Sequence, residues 1–411
     1  MLGAVADDFT GATDLAIMLR RNGHRVAVVI EEHDPGPAVR AGLDAVVVAL
    51  KSRTAPVAEA VAASGRAVDR LRGWGADRLY VKYCSTFDST DLGNIGPVLD
   101  TVADRAGATT VVVAPALPAN GRTVYQGHLF VGADLLENSP MRHHPLTPMT
   151  RSRVADLLAP QTTHPVGEIG LATVRRGPDA VRAALADTTG RYVVVDTVDD
   201  DDLRTLGAAV ADAPVVSGGS GLALGLPDPG TPADDWRPAA PGTVRLTLCG
   251  SASAATRRQV ADAARTAPTL RVDPAAAVRD PDAETARLTG WVREQPTGSA
   301  PVVYATAGPG DLVAEVDGAP VAPAVETVLA GTGRALVADG TVSRLLVAGG
   351  ETSGAVVRAL GVGLLRIGPE IAPGICWTAA ETAGGRAVTL ALKSGNFGPD
   401  DLFTSAWKVL A

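Results

Sequence analysis

The sequence predicts an α/β protein made of two α/β domains with mainly parallel sheets and an active-site cleft between them. Short apolar runs rich in β-branched residues alternate with amphipathic stretches of Ala, Leu and Arg, which indicates βαβ units. Aromatic residues make up only 4% of the 411 residues, whereas Ala, Val and Gly are plentiful. That composition is typical of buried parallel strands and closely packed helices. A proline-rich segment, residues 226–242, separates the two predicted domains.

The predicted strands lie on both sides of this segment. In the first domain, residues 1–225, the apolar runs are Leu2–Ala6, Val26–Ile30, Ala45–Leu50, Leu79–Val81, Thr110–Ala114 and Tyr192–Val195. In the second domain, residues 243–411, they are Val244–Leu248, Pro301–Tyr304, Leu345–Val347 and Val388–Leu392. Residues 226–242 carry five prolines, which cannot continue a helix or a central strand, so we expect a linker and a hinge there.

One long irregular stretch, Asn138–Thr150, interrupts the first domain. It contains three prolines and two adjacent histidines, His143 and His144. Connections of this length are usually functional or disordered, so we expect this one to cover the cleft. His128, His143 and His144 are candidates for lining that cleft, although a histidine in an exposed loop more often has no special role.

Charge and cysteine content exclude several classes of protein. The net charge is −8, and no Lys/Arg cluster suggests a nucleic-acid partner. The three cysteines, Cys84, Cys249 and Cys376, have no metal-ligand spacing, and their odd number favours a reducing cytosol over a disulfide scaffold. No targeting segment and no run of about 18 apolar residues is present, so we expect a cytoplasmic protein without a membrane span.

The most informative segment is Lys82–Asp91, which follows the predicted strand Leu79–Val81. It places a cation, two carboxylates and several hydroxyls at the carboxyl end of a strand, where open α/β sheets bind ligands. Such groups suit a small, polyhydroxylated, anionic ligand. The alternative is an ordinary helix start, because Ser, Thr and Asp are also common N-caps. The candidates here are Lys82, Ser85, Thr86 and Asp88.

A second segment of the same kind follows the first strand. Asp7, Asp8 and Thr10 come directly after Leu2–Ala6 and before a predicted helix. Two acidic strand ends in one half of the chain suggest one shared site. Arg53 follows another strand and is a candidate clamp for a substrate carboxylate, because a guanidinium can bind a carboxylate through two hydrogen bonds. A surface ion pair is the competing interpretation of Arg53.

The second domain has three glycine-containing loops, each after a predicted strand. Glycine lets the backbone approach a phosphate closely, and helix N-termini offer free N–H groups. No Walker A loop and no Gly-x-Gly-x-x-Gly after a strand occurs, and ordinary strand-to-helix turns also use Gly and Thr. Glu351 could hold a metal ion directly or through water. The candidates for binding a nucleotide are Ser251, Ser253, Gly350, Glu351, Thr352, Ser353, Gly354, Lys393 and Gly395.

The two halves together favour phosphoryl transfer. That reaction needs positioning, charge neutralisation with Mg²⁺, and a carboxylate that accepts the proton of the substrate hydroxyl. Asp8 and Asp88 are both candidate bases, and the sequence does not choose between them. Lys82 could hold the substrate carboxylate or a transferring phosphoryl oxygen. A non-catalytic protein that binds such a polyhydroxylated acid remains an alternative, as does a lyase with Lys82 as a Schiff-base lysine.

Six segments in chain order resemble the four-carbon acid sugar kinase family. They are Ala6–Ala12, Lys82–Gly96, Cys249–Ser253, Gly349–Gly354, Gly368–Gly374 and Lys393–Gly398. The residues Lys82–Thr90 and Asn138–Thr150 look most like the 3-oxo-tetronate kinase branch. The resemblance implies an N-terminal acid-sugar domain, a C-terminal domain that binds ATP with Mg²⁺, and 4-phosphorylation of a four-carbon sugar acid. The runner-up is a kinase for threonate or erythronate. A homodimer is compatible with the sequence.

Overall fold

The chain forms two compact units, Met1–Asp234 and Asp235–Ala411. The structure is a computed structural model that describes residues 1–30, 32–144, 147–230 and 236–410. Part of the predicted linker at 226–242 and part of the irregular stretch Asn138–Thr150 therefore lie outside the described residues.

The first unit is built on a parallel sheet with helices between its strands. Its sheet order is β2-β3-β1-β4-β11-β5-β10-β9, and every neighbouring pair in it is parallel. The strands of this unit are β1 Leu2–Ala6, β2 Val26–Ile30, β3 Ala45–Ala49, β4 Arg78–Lys82, β5 Val111–Ala114, β6 Arg122–Tyr125, β7 His128–Val131, β8 Asp134–Leu135, β9 Val166–Ile169, β10 Tyr192–Val195 and β11 Val215–Gly218. Its helices are α1 Phe9–Arg21, α2 Gly36–Arg40, α3 Val57–Gly73, α4 Ile95–Ala106, α5 Val154–Leu158, α6 Leu171–Val174, α7 Pro178–Asp187 and α8 Asp200–Ala209.

The second unit combines a parallel sheet with an antiparallel edge. Its order is β13-β14-β12-β17-β20-β19-β18, in which the last two pairings are antiparallel. The strands are β12 Val244–Cys249, β13 Thr269–Arg271, β14 Val302–Tyr304, β15 Glu315–Val316, β16 Ala319–Pro320, β17 Val342–Ala348, β18 Leu364–Ala372, β19 Ile375–Glu381 and β20 Ala387–Lys393. The helices are α9 Ala254–Ala263, α10 Pro274–Arg279, α11 Pro281–Arg293, α12 Val321–Ala338, α13 Gly350–Leu360 and α14 Leu402–Ser405.

The predicted α/β architecture with mainly parallel sheets is confirmed, and each predicted strand is present within a few residues. Strands β1 and β3 are buried at every residue. Strands buried on both faces consist of continuous apolar runs, which is why the sequence predicted them. Strand β11 went unpredicted because it contains only two β-branched residues before Ser217 and Gly218. It is nevertheless a central strand, and Gly218 packs so closely against the Ala114 carbonyl that a Cβ would not fit.

The hairpin of β18 and β19 also went unpredicted. Gly368 and Pro369 interrupt β18, and proline normally argues against a strand because it cannot donate to the ladder. The structure accommodates them through a shift of register between Ile367 and Glu370 at the edge of the parallel sheet. Most of the segment Gly368–Gly374, which resembles the four-carbon acid sugar kinase family, therefore belongs to strand β18.

Helix α12 is the one described helix that is long and apolar enough to cross a membrane by length and composition, with a mean hydropathy of 1.2 over 18 residues. Half of that window is buried inside the unit. Val325, Val328 and Leu329 are buried, and the helix packs against α11 and α13. This is the pattern of a core helix in an α/β unit.

Candidate functional site

Three predicted site segments meet at one edge of the first sheet. Ala6, the last residue of β1, pairs with Ala49 of β3 on one side and with Lys82 of β4 on the other. Because these strands are parallel, the residues that follow them emerge side by side. The backbone confirms this, since Asp7 N donates to Lys82 O at 3.1 Å and Arg53 N donates to Asp7 O at 3.0 Å.

The side chains of Asp7, Asp8 and Arg53 form one ion-pair cluster. Arg53 Nε and Nη2 donate to the two carboxylate oxygens of Asp7, each at 2.8 Å, and Nη2 also donates to Asp8 Oδ1 at 2.8 Å. Burial alone would lower the pKa of Arg53, but the two carboxylates raise it well above its ordinary value. The two-bond edge of the guanidinium is thus engaged by Asp7 in a half-buried ion pair, and the role of Arg53 as a clamp for a substrate carboxylate stays a prediction.

Asp8 lies between the two cations of this edge. Its Oδ1 accepts from Gly11 N at 2.7 Å, which makes it the N-cap of α1. An added Cβ at Gly11 would collide with Asp8 Oδ1 and lie 3.1 Å from Lys82 Nζ, so glycine keeps these groups together. Burial raises the pKa of Asp8 above its ordinary value; Arg53 and Lys82 oppose this rise, and neighbouring Asp7 adds to it.

The pKa values of Arg53 and Asp8 are both raised: the carboxylates favour the charged form of Arg53, whereas burial disfavours the charged form of Asp8. Arg53 opposes the rise at Asp8 only in part, because Asp7 takes the two-bond edge of the guanidinium and leaves Asp8 a single bond. Asp8 also has a like charge next to it in the chain, which disfavours its ionised form. Lys82 is buried, and its Nζ donates to Tyr83 O at 2.9 Å.

The segment after β4 forms its own hydrogen-bonded turn. Thr86 Oγ1 donates to Asp88 Oδ1 at 2.6 Å and lies 2.9 Å from Cys84 Sγ. Phe87 adopts a left-handed φ of 51°, which is uncommon for a bulky residue and marks a tightly constrained turn. Burial and, to a lesser degree, Asp88 raise the pKa of the Cys84 thiol to about 11, against the opposing effect of Arg53. The charges of both Asp88 and Arg53 therefore act on the Cys84 thiol.

The remaining predicted substrate residues of this unit lie beside the ion-pair cluster or bond to local partners. Ser85 and Thr10 are half-buried next to the segments just described. Asp88 is buried and accepts a hydrogen bond from Thr86, whereas Asp8 accepts one from Arg53. In the part of the chain that the structure describes, no hydrogen bond joins Asp88 to the Asp7–Asp8–Arg53 cluster. His128 Nδ1 lies 2.7 Å from Gln126 O and His144 Nδ1 accepts from Thr147 N at 3.1 Å, so both rings have local loop partners.

Sequence reasoning missed Asn94. It stands directly before α4, where asparagine is read as a simple helix cap, yet its side chain makes no capping bond. Instead, Nδ2 donates to the carbonyl of Ser52 at 2.7 Å, within the loop that carries Arg53. No signal in a single sequence would have paired residue 94 with residue 52.

The second unit repeats this edge geometry with glycines in place of charges. Ala348 of β17 pairs with Cys249 of β12 and with Lys393 of β20, so three loops emerge side by side. Gly250 N donates to Ala348 O at 3.1 Å, and Gly349 N donates to Lys393 O at 2.9 Å. The three predicted nucleotide loops therefore meet.

The loops approach too closely for larger residues. A Cβ at Gly250 would collide with Thr352 Oγ1, and one at Gly395 would lie 2.5 Å from Ser251 Oγ. Gly349 has a φ of 127° and precedes α13, whose first amides have no partner within the helix. A Cβ at Gly350 would meet nothing within 4 Å, so open space faces that helix start. This cradle fits a phosphate group.

Glu351, Thr352, Ser353 and Gly354 continue the first turns of α13. Thr352 and Ser353 are buried, and Ser353 Oγ is a buried polar atom without a hydrogen-bond partner within residues 1–30, 32–144, 147–230 and 236–410. Glu351, the predicted metal ligand, is exposed. Among the described residues, no group of three or more His, Cys, Asp and Glu side chains is arranged to hold a metal ion. Mg²⁺ that arrives with a nucleotide takes most of its ligands from phosphates and water, so one carboxylate is compatible with that mode.

Ser253 and Lys393 hold the third loop in place. The Gly395 carbonyl accepts from Ser253 Oγ at 2.5 Å, from Thr256 Oγ1 at 2.8 Å and from Lys393 Nζ at 2.8 Å. Gln259 Nε2 donates to three further carbonyls of the loop, those of Phe397, Gly398 and Pro399, at 3.0–3.1 Å. Thr256 and Gln259 were missed because a polar residue one turn into a helix carries no distinctive sequence signal.

The free energy of unfolding is expected to rise between about pH 8 and pH 10, and Lys393 is the reason. Burial lowers the pKa of Lys393 to about 8, whereas an unfolded lysine titrates near about 10.4. Between these values the unfolded chain binds more protons, so stability increases with pH. Lys393→Met should flatten this rise in urea unfolding at pH 7.5 and 10. The exposed Lys408→Met is the control, and equal pH dependence in both variants would contradict the assignment.

Gly250→Ala is expected to weaken nucleotide binding because it shifts the loops, and the overpacking itself should cost about 1–3 kcal/mol of stability. Its new methyl group collides with Thr352 Oγ1 and displaces the loops. Gly290→Ala in α11 is the matched control, because nothing lies within 4 Å of that position, and it should stabilise the helix by about 0.5–1 kcal/mol. Calorimetric titration with ATP and thermal melting separate the two effects. Unchanged affinity in Gly250→Ala would mean that the loops are not the nucleotide site.

Comparisons with known proteins agree with this division. Residues 2–226 match the model of a sugar-binding N-terminal domain, and residues 246–403 match that of a nucleotide-binding C-terminal domain. The chain is 46% identical over 424 residues to a 3-oxo-tetronate kinase of Burkholderia multivorans, covering 100% of this chain and 97% of the relative. It is 42% identical over 422 residues to a 3-oxo-tetronate kinase of Salmonella typhimurium, covering 98% of each.

Solved structures share the fold. A Salmonella typhimurium LT2 protein described as a putative tRNA synthase superposes with a TM-score of 0.91 at 40% identity, covering 99% of each chain. That description differs from the kinase name that the sequence relatives carry. A Haemophilus influenzae protein superposes with a TM-score of 0.84 at 37% identity over 100% of each chain. The domain matches and the full-length relatives show that the chain belongs to the four-carbon acid sugar kinase family, in its 3-oxo-tetronate kinase branch.

Proposed function

We propose that this protein is an ATP-dependent kinase that phosphorylates the 4-hydroxyl of 3-oxo-tetronate to give its 4-phosphate. The observation that carries the proposal is the environment of Asp8. This carboxyl stands at the carboxyl end of the first sheet, bonded to Arg53 and next to Lys82, and its pKa lies above the ordinary value. A base whose pKa is raised toward neutrality is suited to accepting a hydroxyl proton. The full-length kinase relatives support the substrate assignment.

In this proposal the first unit binds and activates the sugar acid. Asp8 is the base, in preference to Asp88, because Asp88 already accepts from Thr86 and, among the described residues, no cation is bonded to it. Lys82 uses one of its three N–H donors on Tyr83 O, and the ammonium attracts the substrate carboxylate. Arg53 holds Asp7 and Asp8 in place. Short polar side chains would form hydrogen bonds with the hydroxyl groups of the sugar acid; these are Asp7, Thr10, Ser85 and Thr86.

The second unit binds the nucleotide. ATP supplies the phosphoryl group, and Mg²⁺ neutralises the charge that develops during its transfer. Ser251, the amides of residues 350–352 at the start of α13 and the Ser353 hydroxyl would hold the phosphates, and Glu351 would contact the metal ion. Ser253 and Lys393 act indirectly, because their hydrogen bonds fix the Gly395 carbonyl and hence the loop.

The proposal assigns residues 1–225 to the sugar acid and residues 243–411 to the nucleotide, with 226–242 as linker. Cytoplasmic location and a homodimeric assembly are further parts of it. Sedimentation of the purified protein would test the assembly.

The deciding experiment measures ADP release from Mg-ATP with a panel of four-carbon sugar acids. The panel contains 3-oxo-tetronates made in situ by a dehydrogenase, together with threonate and erythronate. Phosphorus NMR of the product then locates the phosphate. A 4-phosphate shows coupling to two protons of a CH₂ group, whereas a 2-phosphate shows coupling to one.

Turnover confined to the oxidised acids, with a 4-phosphate product, is the expected result. Turnover with threonate or erythronate but not with the oxo acids would overturn the substrate assignment and keep the kinase. Binding of sugar acids without any ADP release would overturn the kinase assignment itself.

A further inference from the structure

The loop that carries Arg53 is held from two sides. On one side, Ser52 N and Arg53 N both donate to the carbonyl of Asp7, at 2.9 and 3.0 Å. These bonds tie the start of the loop to the end of β1. They do not by themselves fix the direction of the Arg53 side chain, because the chain turns away after residue 53 toward α3.

On the other side stands Asn94, which is only 7% exposed. Its Nδ2 donates to the carbonyls of Ser52 at 2.7 Å, Ala55 at 3.2 Å and Arg53 at 3.4 Å. One buried amide group therefore spans three carbonyls that converge within four residues of chain. Asn94 occupies the N-cap position of α4 but makes no side-chain capping bond, so it serves the loop rather than its own helix.

We propose that Asn94 is a positioning residue for the sugar-acid site, which fixes the loop 52–55 and thereby orients the Arg53 guanidinium on Asp7 and Asp8. The inference rests on the proposed function, because it concerns how the same site is kept in shape. No contact of Asn94 with substrate is needed. Its effect reaches the reaction through Arg53 alone.

The charges around Asp8 give this inference a specific signature. Asp8 is faced by Arg53 from the loop, by Lys82 from β4, by Asp7 next to it and by the N-terminus of α1; Cys84 lies near Arg53. Arg53 is the larger of the two opposing cationic influences on the pKa of Asp8. If Arg53 loosens, Asp7 and burial act with less opposition, and the pKa of Asp8 rises further.

Asn94→Asp and Asn94→Ala test the inference from two directions. Aspartate has the shape of asparagine but faces three carbonyl oxygens without a donor, whereas alanine only removes the donor. In both variants we expect KM for the sugar acid to rise about tenfold, with KM for ATP unchanged. We also expect the acidic limb of kcat/KM to move to higher pH. Alanine keeps the test usable if the aspartate variant does not fold.

Asn22→Ala is the matched control. Asn22 Nδ2 also donates to two main-chain carbonyls of the first unit, those of Ala223 and Leu226, but it stands at the opposite end of α1 from Asp8. This variant should lower the melting temperature without changing either KM or the pH profile.

The outcomes separate the two proposals. If the wild type shows no turnover with any sugar acid, the proposed function fails. If the wild type turns over and the Asn94 variants melt lower but keep the wild-type KM and acidic limb, Asn94 is a structural residue only and the inference is overturned. A rise in KM for ATP equal to that for the sugar acid would also overturn it.

Discussion

Replacing Asp8 with Asn is expected to lower kcat by a factor of about 10²–10⁴, the usual contribution of a positioned general base. Asparagine caps helices as well as aspartate does, so the bond to Gly11 N and the start of α1 should survive. What is lost is the group that accepts the hydroxyl proton. Nucleotide affinity should be unchanged, because the glycine loops belong to the second unit.

Asp88→Asn is the matched control for this prediction. An amide oxygen can still accept the hydrogen bond from Thr86 Oγ1, so the turn after β4 should persist and kcat should fall far less. Single-turnover kinetics with Mg-ATP and 3-oxo-tetronate, together with calorimetric titration of ATP, make the comparison. A larger loss in Asp88→Asn would make Asp88 the base, and near-normal kcat in both would remove the catalytic role from both carboxylates.

Although Asp8→Asn is expected to lower kcat, it should raise the stability of the folded protein at neutral pH. Because the pKa of Asp8 is raised in the folded state, the folded protein binds this proton more tightly than the unfolded chain does. Stability therefore falls as pH rises from the unfolded pKa through the folded pKa. Asp8→Asn lacks that fall, so its melting temperature should exceed that of the wild type at pH 7 by more than at pH 4. Such a trade of stability for activity is common at active sites.

The sequence predicted the elements of the site better than their partners. Period and composition located the strands, and the parallel order of β1, β3 and β4 explains why Asp8, Arg53 and Lys82 meet at one edge. Those three residues were recognised because charged groups directly after buried strands are unusual. The register of the sheet then brings these residues together, because residues at the same ends of parallel strands become neighbours.

What the sequence could not predict is which side chain bonds to which. The sequence did not predict that Arg53, the candidate clamp for a substrate carboxylate, pairs with Asp7 and Asp8, and its contact with substrate stays a prediction. Nor did it predict that Ser253 and Lys393, both candidates for binding a nucleotide, donate to the Gly395 carbonyl; their contact with the nucleotide stays a prediction. In each case a local protein acceptor lies within reach, and only the folded geometry reveals it.

Arg53→Met is expected to lower the free energy of unfolding by about 3 kcal/mol. Methionine can fill much of the space of the arginine stem, but it leaves Asp7 and Asp8 adjacent without the guanidinium that bonds both. Removing one partner of a buried ion pair strands the charge of the other. Because 31% of the Asp8 side chain remains exposed, water offsets part of the loss, which keeps the expected cost at the lower end of the range for buried pairs.

Two further variants show whether the loss belongs to the ion pairs. Arg53→Lys keeps the charge without the planar fork, so it should restore part of the stability but not the wild-type KM for the sugar acid. The double variant Asp7→Asn with Arg53→Met should lose less free energy of unfolding than the sum of the losses in the two single variants, because both substitutions remove the same contact. Urea unfolding at pH 7 and pH 3.5 completes the test. The difference between wild type and Arg53→Met should shrink at pH 3.5, where Asp8, whose pKa is raised, carries its proton and no longer pairs with Arg53 as an anion. A difference independent of pH would mean that packing, not charge, holds Arg53 in place.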